Sequence, residues 1–372
     1  MVPRLDLSAP YPPASASVFY NPHMELSRDI NVACMKVLAE KHRAERPLTY
    51  LDALAGSGIR GLRVFNEANL SVTLNDSKVE AFSLIKENVE VLYPAVKTTH
   101  LDANVLLSGA KFSVVDIDPF GSPVPFIDAA CRSAREMLCV TATDTAPLSG
   151  AHFNAGVRRY SAVPANTEYH AETGVRILLG KIAREFVKYD KAMSPVLSHA
   201  TRHYYRTYVL IAKGALKADR CINKLGYIAH CARCGDRFAM VGLVPRVIPR
   251  CTKCQARSNL AGPLWLGPLH DHSFCTKVQA EIKAGSFGTN KEAARIIELC
   301  AEELDTVSFF DYHKLLKELQ RPPVPIERLI EALHRSGYQA SRTHFSGTSI
   351  KTDADALIVK DFLRELSDNE TS

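Results

Sequence analysis

The chain has 372 residues, 46% of them hydrophobic and 23% charged, a balance that supports a sizeable core and a length that suits two or three domains. No apolar run approaches the roughly 20 residues of a membrane-spanning helix, and residues 1–20 carry Pro and Ser where a secretory signal needs an apolar stretch, so a cytoplasmic chain with no membrane attachment is expected. The net charge of +6 leans toward a polyanionic partner but is too small to require one.

In chain order, Tyr11-Pro12-Pro13 opens a Pro-rich arm and Phe19-Tyr20-Asn21-Pro22 reads as a turn. A helix follows over residues 24–44, and Pro47 stops it. From there short apolar runs alternate with amphipathic ones: strand 48–53, helix 58–67, strand 71–75, helix 77–92, strand 112–117, helix 126–137 and strand 138–143. That alternation predicts an α/β fold, a Rossmann-like, mostly parallel sheet covered on both faces. A helix over 172–189 leads to runs at 195–200 and 202–212, which read as the last strands of the same sheet. The pattern changes near Cys221, which divides the chain into a domain of residues 1–220 and an α+β domain of residues 221–372. The second holds a cysteine-rich insert at about 228–258 and a mainly helical, winged-helix-like region at about 271–372. Its end reads as a helix over 326–336 capped by Gly337, then a hairpin with strands 339–345 and 348–352 around a Ser-Gly turn. The hairpin carries Arg342, His344 and Lys351, as a nucleic-acid-facing wing or simply a solvated basic surface.

Four strand ends carry candidate chemistry. After the first strand comes Leu51-Asp52-Ala53-Leu54-Ala55-Gly56-Ser57-Gly58-Ile59-Arg60-Gly61, a glycine turn that opens a helix and lets a ligand approach the backbone. Asp76 ends the next strand, where a carboxylate can accept both hydroxyls of a ribose. Leu101-Asp102-Ala103 ends another short strand, placed to meet an adenine edge. These strand ends share one side of the sheet and match the adenosine half of an S-adenosylmethionine pocket. Gly56, Gly58 and Gly61 also fit a dinucleotide fingerprint, which stays open as a competitor.

The fourth strand end is the most informative stretch, Asp116-Ile117-Asp118-Pro119-Phe120-Gly121-Ser122-Pro123. It resembles the Asp/Asn/Ser-Pro-Pro-aromatic turn of amino-methyltransferases, with Phe120 where the second Pro would stand. An exocyclic amine is a poor nucleophile because its lone pair is delocalised into the ring. A carboxylate at Asp118 that accepts its N–H groups aims the lone pair at a methyl donor and can take the proton. Phe120 can stack on a base withdrawn from its neighbours. Asp116 is a rival acid on the same face, deeper in the sheet.

Cys231-x-x-Cys234 and Cys251-x-x-Cys254, 16 residues apart, have zinc-ribbon spacing: each pair sits on a tight turn and four thiolates complete a tetrahedron. The other six cysteines read as buried or incidental thiols. Arg202-His203-Tyr204-Tyr205-Arg206-Thr207-Tyr208 interleaves basic and aromatic residues, but alternation lets only part of it face a polyanion.

With these motifs in hand, the chain resembles the tRNA (guanine-N2)-dimethyltransferase family, class I S-adenosylmethionine-dependent enzymes that act on guanosine 26. The resemblance includes Val18-Phe19-Tyr20-Asn21-Pro22 with Ser27-Arg28-Asp29, Gly58-Ile59-Arg60-Gly61-Leu62-Arg63, and Asp118-Pro119-Phe120-Gly121-Ser122-Pro123. It extends through Thr141-Ala142-Thr143-Asp144, Gly150-Ala151-His152, residues 262–268 and Arg342-Thr343-His344-Phe345-Ser346. It implies Asp118 as the catalytic residue and Arg28, Arg63, Asp76, Asp102 and Ala103 at the cofactor, with Arg60 as the alternative to Arg63. It places Phe19 and Phe120 at the guanine, makes zinc on Cys231, Cys234, Cys251 and Cys254 structural, and implies a monomer with a tRNA-binding C-terminal domain. Without the resemblance, the residues alone support a nucleic-acid amino-methyltransferase. Weaker alternatives are an enzyme acting on DNA adenine or a protein glutamine, and a non-enzymatic zinc-ribbon RNA-binding protein.

Overall fold

In a computed structural model of the chain, the described residues are 18, 20–42, 47–244 and 250–368. Phe19 lies outside them. Seven strands, β1 (Thr49–Asp52), β2 (Ser71–Asn75), β3 (Lys97–Thr99), β4 (Phe112–Ile117), β5 (Ala134–Ala142), β6 (Lys191–Thr201) and β7 (Tyr204–Lys213), form one sheet. Their order is β3-β2-β1-β4-β5-β7-β6. β1 pairs in parallel with both β2 and β4, β2 with β3, and β4 with β5. The order therefore reverses between β1 and β4, which is the switch point where open α/β sheets form their ligand crevice. Both candidate turns, at residues 53–58 and 118–123, leave the sheet from these two strands.

The helix Ile59–Ala68 begins where the glycine turn ends. Gly56 and Gly58 have φ of +57° and +81°, a region costly for any side chain. Gly61 serves packing instead, since a Cβ there would stand 2.3 Å from a Leu74 methyl on β2. The central strands are continuous apolar runs, Tyr50 and Leu51 on β1 and Val114, Val115 and Ile117 on β4, because helices cover both faces of a parallel sheet.

By compactness the chain divides into two units. One comprises Met1–Thr143, Arg206–Lys213 and His272–Glu298; the other comprises Asp144–Tyr205, Gly214–Asp271 and Leu299–Ser372. The second unit contains a three-stranded sheet in the order β10-β8-β9, made of β8 (Leu225–Cys231), β9 (Arg237–Val241) and β10 (Ser258–Trp265). It also contains a small sheet in the order β11-β13-β12, from β11 (Phe310–Asp311), β12 (Ala340–Thr343) and β13 (Ser346–Thr352). Around this small sheet pack Leu315, Leu316, Leu329, Leu333, Val359 and Leu363 from the helices Tyr312–Leu319, Ile326–Arg335 and Ala356–Asp368. Gly337, at φ +86°, ends the middle helix as expected, and Tyr338 N–H donates to Leu333 O at 3.0 Å.

Several local expectations shift. β5 begins at Ala134, where residues 134–137 were expected to be helical. Ala134 and Met137 pair with Phe112 and Val114 across a bulge, so sheet pairing overrides the helix propensity of Ala-Arg-Glu-Met. Asp102 does not end a strand; β3 stops at Thr99, and Asp102 caps the helix Ala103–Gly109 by accepting from the Asn104 and Val105 N–H groups at 2.8 and 3.3 Å. The hairpin turns at His344-Phe345, because Ser346 already pairs with Thr343.

That hairpin is also not a basic surface. Lys351 and the His344 ring are buried, and only Arg342 is at the surface, paired with Glu327. Glu303 collects the buried groups: its carboxylate accepts from His270 Nε2 at 2.8 Å, His344 Nδ1 at 2.9 Å and Thr343 Oγ1 at 2.8 Å. Lys351 Nζ lies 3.7 Å from Glu303 and 3.3 Å from Glu172, which also holds Arg176. Burial opposes the charge on Glu303, but His344 and Lys351 outweigh it and hold the carboxyl well below its ordinary range.

Candidate functional site

β4 delivers two carboxylates with different surroundings. Asp116 is fully buried and forms a bidentate pair with Arg206 of β7, at 2.7 Å from each oxygen. Tyr50 O–H donates to Asp116 Oδ2 at 2.5 Å, and Arg206 also donates to Thr141 Oγ1 and Asn31 Oδ1. Burial alone would neutralise Asp116, yet Arg206 more than offsets it and keeps the carboxyl below the usual range. With its oxygens committed, Asp116 is no rival to Asp118.

Asp118, one residue beyond β4, remains partly accessible. Its Oδ2 accepts from Arg60 Nη2, and the same nitrogen lies 3.3 Å from Ser27 Oγ. Burial opposes the Arg60 charge, but Asp118 outweighs it and raises the guanidinium further above its ordinary value. Pro119 is buried, while Phe120 projects at 74% exposure, as a ring must if it is to meet a base. The turn is stiffened from β5: Gly121 N–H donates to Thr143 Oγ1 at 2.7 Å, and Thr143 N–H donates to Gly121 O at 3.0 Å.

On the neighbouring strand ends, Asp76 Oδ2 accepts from Gly56 N–H and Oδ1 from Lys78 N–H, both at 2.9 Å. The carboxylate thus fixes the glycine turn, with one hydrogen bond accepted at each oxygen. Asp102 uses Oδ1 for its helix cap, which leaves Oδ2 as its outer acceptor, and the Ala103 side chain is buried, so only its backbone can meet a ligand. Val79, Leu101 and Val105, each close in sequence to one of these acids, are large apolar residues left exposed. Arg28 is buried and donates to Asn21 O at 3.1 Å; burial, then the nearby Arg60 charge, lowers its guanidinium. Arg63 is already neutralised, by Asp29 at 2.5 Å and Glu67 at 2.6 Å. Burial, with Asp116 close by, pushes the Asp52 carboxyl up to about 7.

The four ribbon cysteines converge in the second unit. Their sulfurs lie within 4.8 Å of one another, with Cys231–Cys254 at 3.4 Å and Cys234–Cys251 at 3.7 Å. A zinc tetrahedron with Zn–S bonds of about 2.3 Å has edges of about 3.8 Å, so four thiolates fit the ion. The two turns are built alike. Cys231 O accepts from Gly235 N–H at 2.9 Å and Cys251 O from Gln255 N–H at 2.9 Å, and both residues have positive φ. Lys253 binds Asp355 at 2.8 Å, and Lys360 donates to Cys234 O at 3.2 Å. The remaining six cysteines are all buried.

Known proteins decide the family. The family model described as N2,N2-dimethylguanosine tRNA methyltransferase matches residues 9–364. The chain belongs to that family. Among family members, a tRNA (guanine(26)-N(2))-dimethyltransferase of Methanosarcina mazei is 48% identical over 98% of this chain and 96% of its own length. One of Haloarcula marismortui is 44% identical over 96% of this chain and 97% of its own. The solved structure of Trm1 from Pyrococcus horikoshii with S-adenosyl-L-methionine matches at a TM-score of 0.85 and 38% identity, covering 95% of this chain and 96% of that one. The dinucleotide, DNA-adenine, glutamine and non-enzymatic readings fall away with this membership.

Reading residues in sequence left out Asn31 and Tyr50, and placed Arg206 in a run that could face a polyanion; all three surround Asp116. The visible signal was a charged residue at 206 inside an otherwise apolar and aromatic strand, since an unpaired charge cannot be buried. Tyr204, Tyr205, Arg206, Thr207 and Tyr208 are buried, while Arg202 and His203 are exposed, so only the start of this run lies at the surface.

Proposed function

We propose that this chain transfers methyl groups from S-adenosyl-L-methionine to N2 of guanosine 26 in tRNA, first one and then a second. The observation that carries the mechanism is the pairing of Asp118 with an exposed Phe120 on a stiff turn at the switch point of the sheet. When bound, the cofactor supplies an electrophilic methyl on a sulfonium centre. Phe120, with Phe19 as its proposed partner, stacks on the guanine. Arg60 occupies Asp118 Oδ2, so Oδ1 is the acceptor for the N2–H groups. As the N2–C bond forms, the methyl's bond to sulfur breaks with its electron pair going to sulfur, and the N2 proton passes to Asp118 Oδ1.

Around the cofactor, Arg28, Asp76, Asp102 and the Ala103 backbone are the proposed contacts, with Asp76 at the ribose and Asp102 at the adenine. Arg63 was expected among them, but its two carboxylate partners make it the weaker candidate for an anion. Zinc on the four cysteines is proposed as structural. Residues 1–220 form the proposed catalytic domain and residues 221–372 the tRNA-binding one, in a cytoplasmic monomer. Among the described residues no helix is long and apolar enough to cross a membrane.

The test is methylation of a defined tRNA transcript read by nucleoside mass spectrometry. Asp118→Ala should lower the rate by at least the 10²–10⁴-fold typical of a positioned acid–base group. Asp118→Asn keeps an acceptor oxygen without the charge, so near-normal rates in that variant would exclude proton transfer to Asp118. An active Asp118→Ala enzyme would reduce the residue to a turn cap.

A further inference from the structure

One groove of the second unit takes no part in the chemistry above. It has a volume of about 990 Å³ and lies where residues 153–170, the ribbon strands β8 and β10, and β11 with the helix Tyr312–Leu319 meet. Small-ligand pockets span about 300–1,000 Å³, so the groove admits a ring system with its charged groups but no nucleic-acid duplex. The acids on its wall are committed. Glu168 pairs with Arg237, Glu318 pairs with Lys360 at 3.1 Å, and Asp311 caps the helix by accepting from Lys314 N–H at 3.3 Å. Its other polar groups are open. Among the described residues, the exposed Arg233 guanidinium and Lys314 ammonium have no ion-pair partner, and the exposed side-chain amides of Asn166 and Asn259 make no hydrogen bond. A large apolar ring completes the set: Phe153 is 49% exposed, with Val163 at 37%. Each open group has a counterpart in an unpaired nucleotide. A phenyl ring stacks on a base, an amide both donates and accepts at a base edge, and cations take phosphate oxygens. An acidic side chain would use the cations and leave the ring idle.

We propose that this groove binds an unpaired nucleotide of the RNA substrate, distinct from the guanosine that is methylated. Phe153 lies against the base, Asn166 and Asn259 read its edge, and Arg233 and Lys314 take the flanking phosphates. The inference rests on the tRNA reading above. RNA sequence is read mainly at unpaired nucleotides, whose bases are free to stack on aromatic side chains. A second nucleotide held at a set place on the RNA fixes register, which stacking on the target guanine alone cannot do, because every base has a face to stack.

The experiment follows binding and turnover of the purified full chain with a tRNA transcript, and with transcripts made abasic, one at a time, at each unpaired nucleotide other than the target. Arg233→Ala combined with Lys314→Ala should weaken the transcript at least about tenfold and lower the slope of log K against log salt by about two, one for each lost phosphate contact. The kcat and the affinity for S-adenosyl-L-methionine should stay within about twofold of wild type, since neither residue meets the reacting groups. Phe153→Ala should weaken the transcript about tenfold, the worth of one stacked base, and one abasic transcript should weaken the wild type by a similar factor. That abasic loss should vanish in the Phe153→Ala background, because base and ring make a single interaction. A wild type that neither binds nor methylates the transcript refutes the tRNA reading and the site with it. If the wild type methylates the transcript while every groove variant matches it, or if the abasic loss persists undiminished without Phe153, the nucleotide site alone is refuted. It is refuted equally if the double variant keeps its tRNA affinity but loses binding of a polyglutamate peptide that the wild type retains, which would make the groove an acidic-peptide site. Arg233 lies between two ribbon cysteines, so should the double variant unfold, Lys314→Ala alone carries the test, with a slope change of about one.

Discussion

Arg206→Met is the perturbation with the most to say about how the catalytic strand is held. In the folded chain Arg206 donates twice to Asp116 at 2.7 Å, to Thr141 at 2.9 Å and to Asn31 at 2.8 Å, with both charged side chains fully buried. Methionine replaces most of its volume, but leaves the Asp116 charge with Tyr50 as its one remaining side-chain partner among the described residues. Breaking a buried pair from one side costs about 3–5 kcal/mol, because the surviving charge has no compensation. For a unit of this size each kcal/mol is worth about 2–4 °C, so melting should fall by about 6–20 °C. Asp116→Leu should be comparably damaging, since it strands the Arg206 charge. The double variant should recover more than half of the loss, because it removes both charges and leaves only neutral groups to be satisfied. Circular-dichroism melts with urea titrations of the four proteins measure the cycle. Single variants costing under about 1 kcal/mol, or a double variant no better than either single, would show that the pair does not anchor β4 and would refute the reasoning.

Three other outcomes follow from the site and its supports. Asp76→Ala should weaken S-adenosyl-L-methionine by about 1.5–3 kcal/mol, read by calorimetry, because the glycine turn loses its acceptor along with the ribose; unchanged affinity would remove Asp76 from the site. Cys231→Ser should lower bound zinc and the melting temperature; metal analysis finding no zinc in wild type purified without chelators would end the metal assignment. The second unit should lose stability as pH falls below about 6.5. Burial lowers the His270 pKa beneath its ordinary 6.5, so in that window the unfolded chain binds a proton that the folded one does not. The single tryptophan, Trp265, is buried in this unit and reports its unfolding by fluorescence. His270→Gln keeps a donor for Glu303 and should flatten the slope between pH 7 and 5; an unaltered slope would assign it to other groups.

The sheet was legible because its information is local. An apolar run ending in a glycine turn, or in Asp-Pro-Phe, specifies strand, exit and exposed chemistry within a dozen residues, and β2 and β4 fall at residues 71–75 and 112–117 as periodicity predicts. Cysteine spacing specified the ribbon for the same reason, since two short turns determine where four sulfurs can meet. What lay beyond reach was the partner of each charge. Asp116 and Arg206 are 90 residues apart, and Lys351 reaches Glu172 across 179. No periodicity encodes such pairs, because each exists only through the sum of the elements between its members. Composition therefore made Arg206 and Lys351 look like candidates for a nucleic-acid surface, and only burial turned them inward. The same holds for Asp102: its type and place were readable, but whether its carboxylate faces a ligand or caps a helix depends on where β3 ends, and pairing with β2 decides that. Sequence alone determined which residues could do the chemistry; tertiary packing decided which of them are left open to do it, since a buried charge must find a partner and a partnered charge is no longer available.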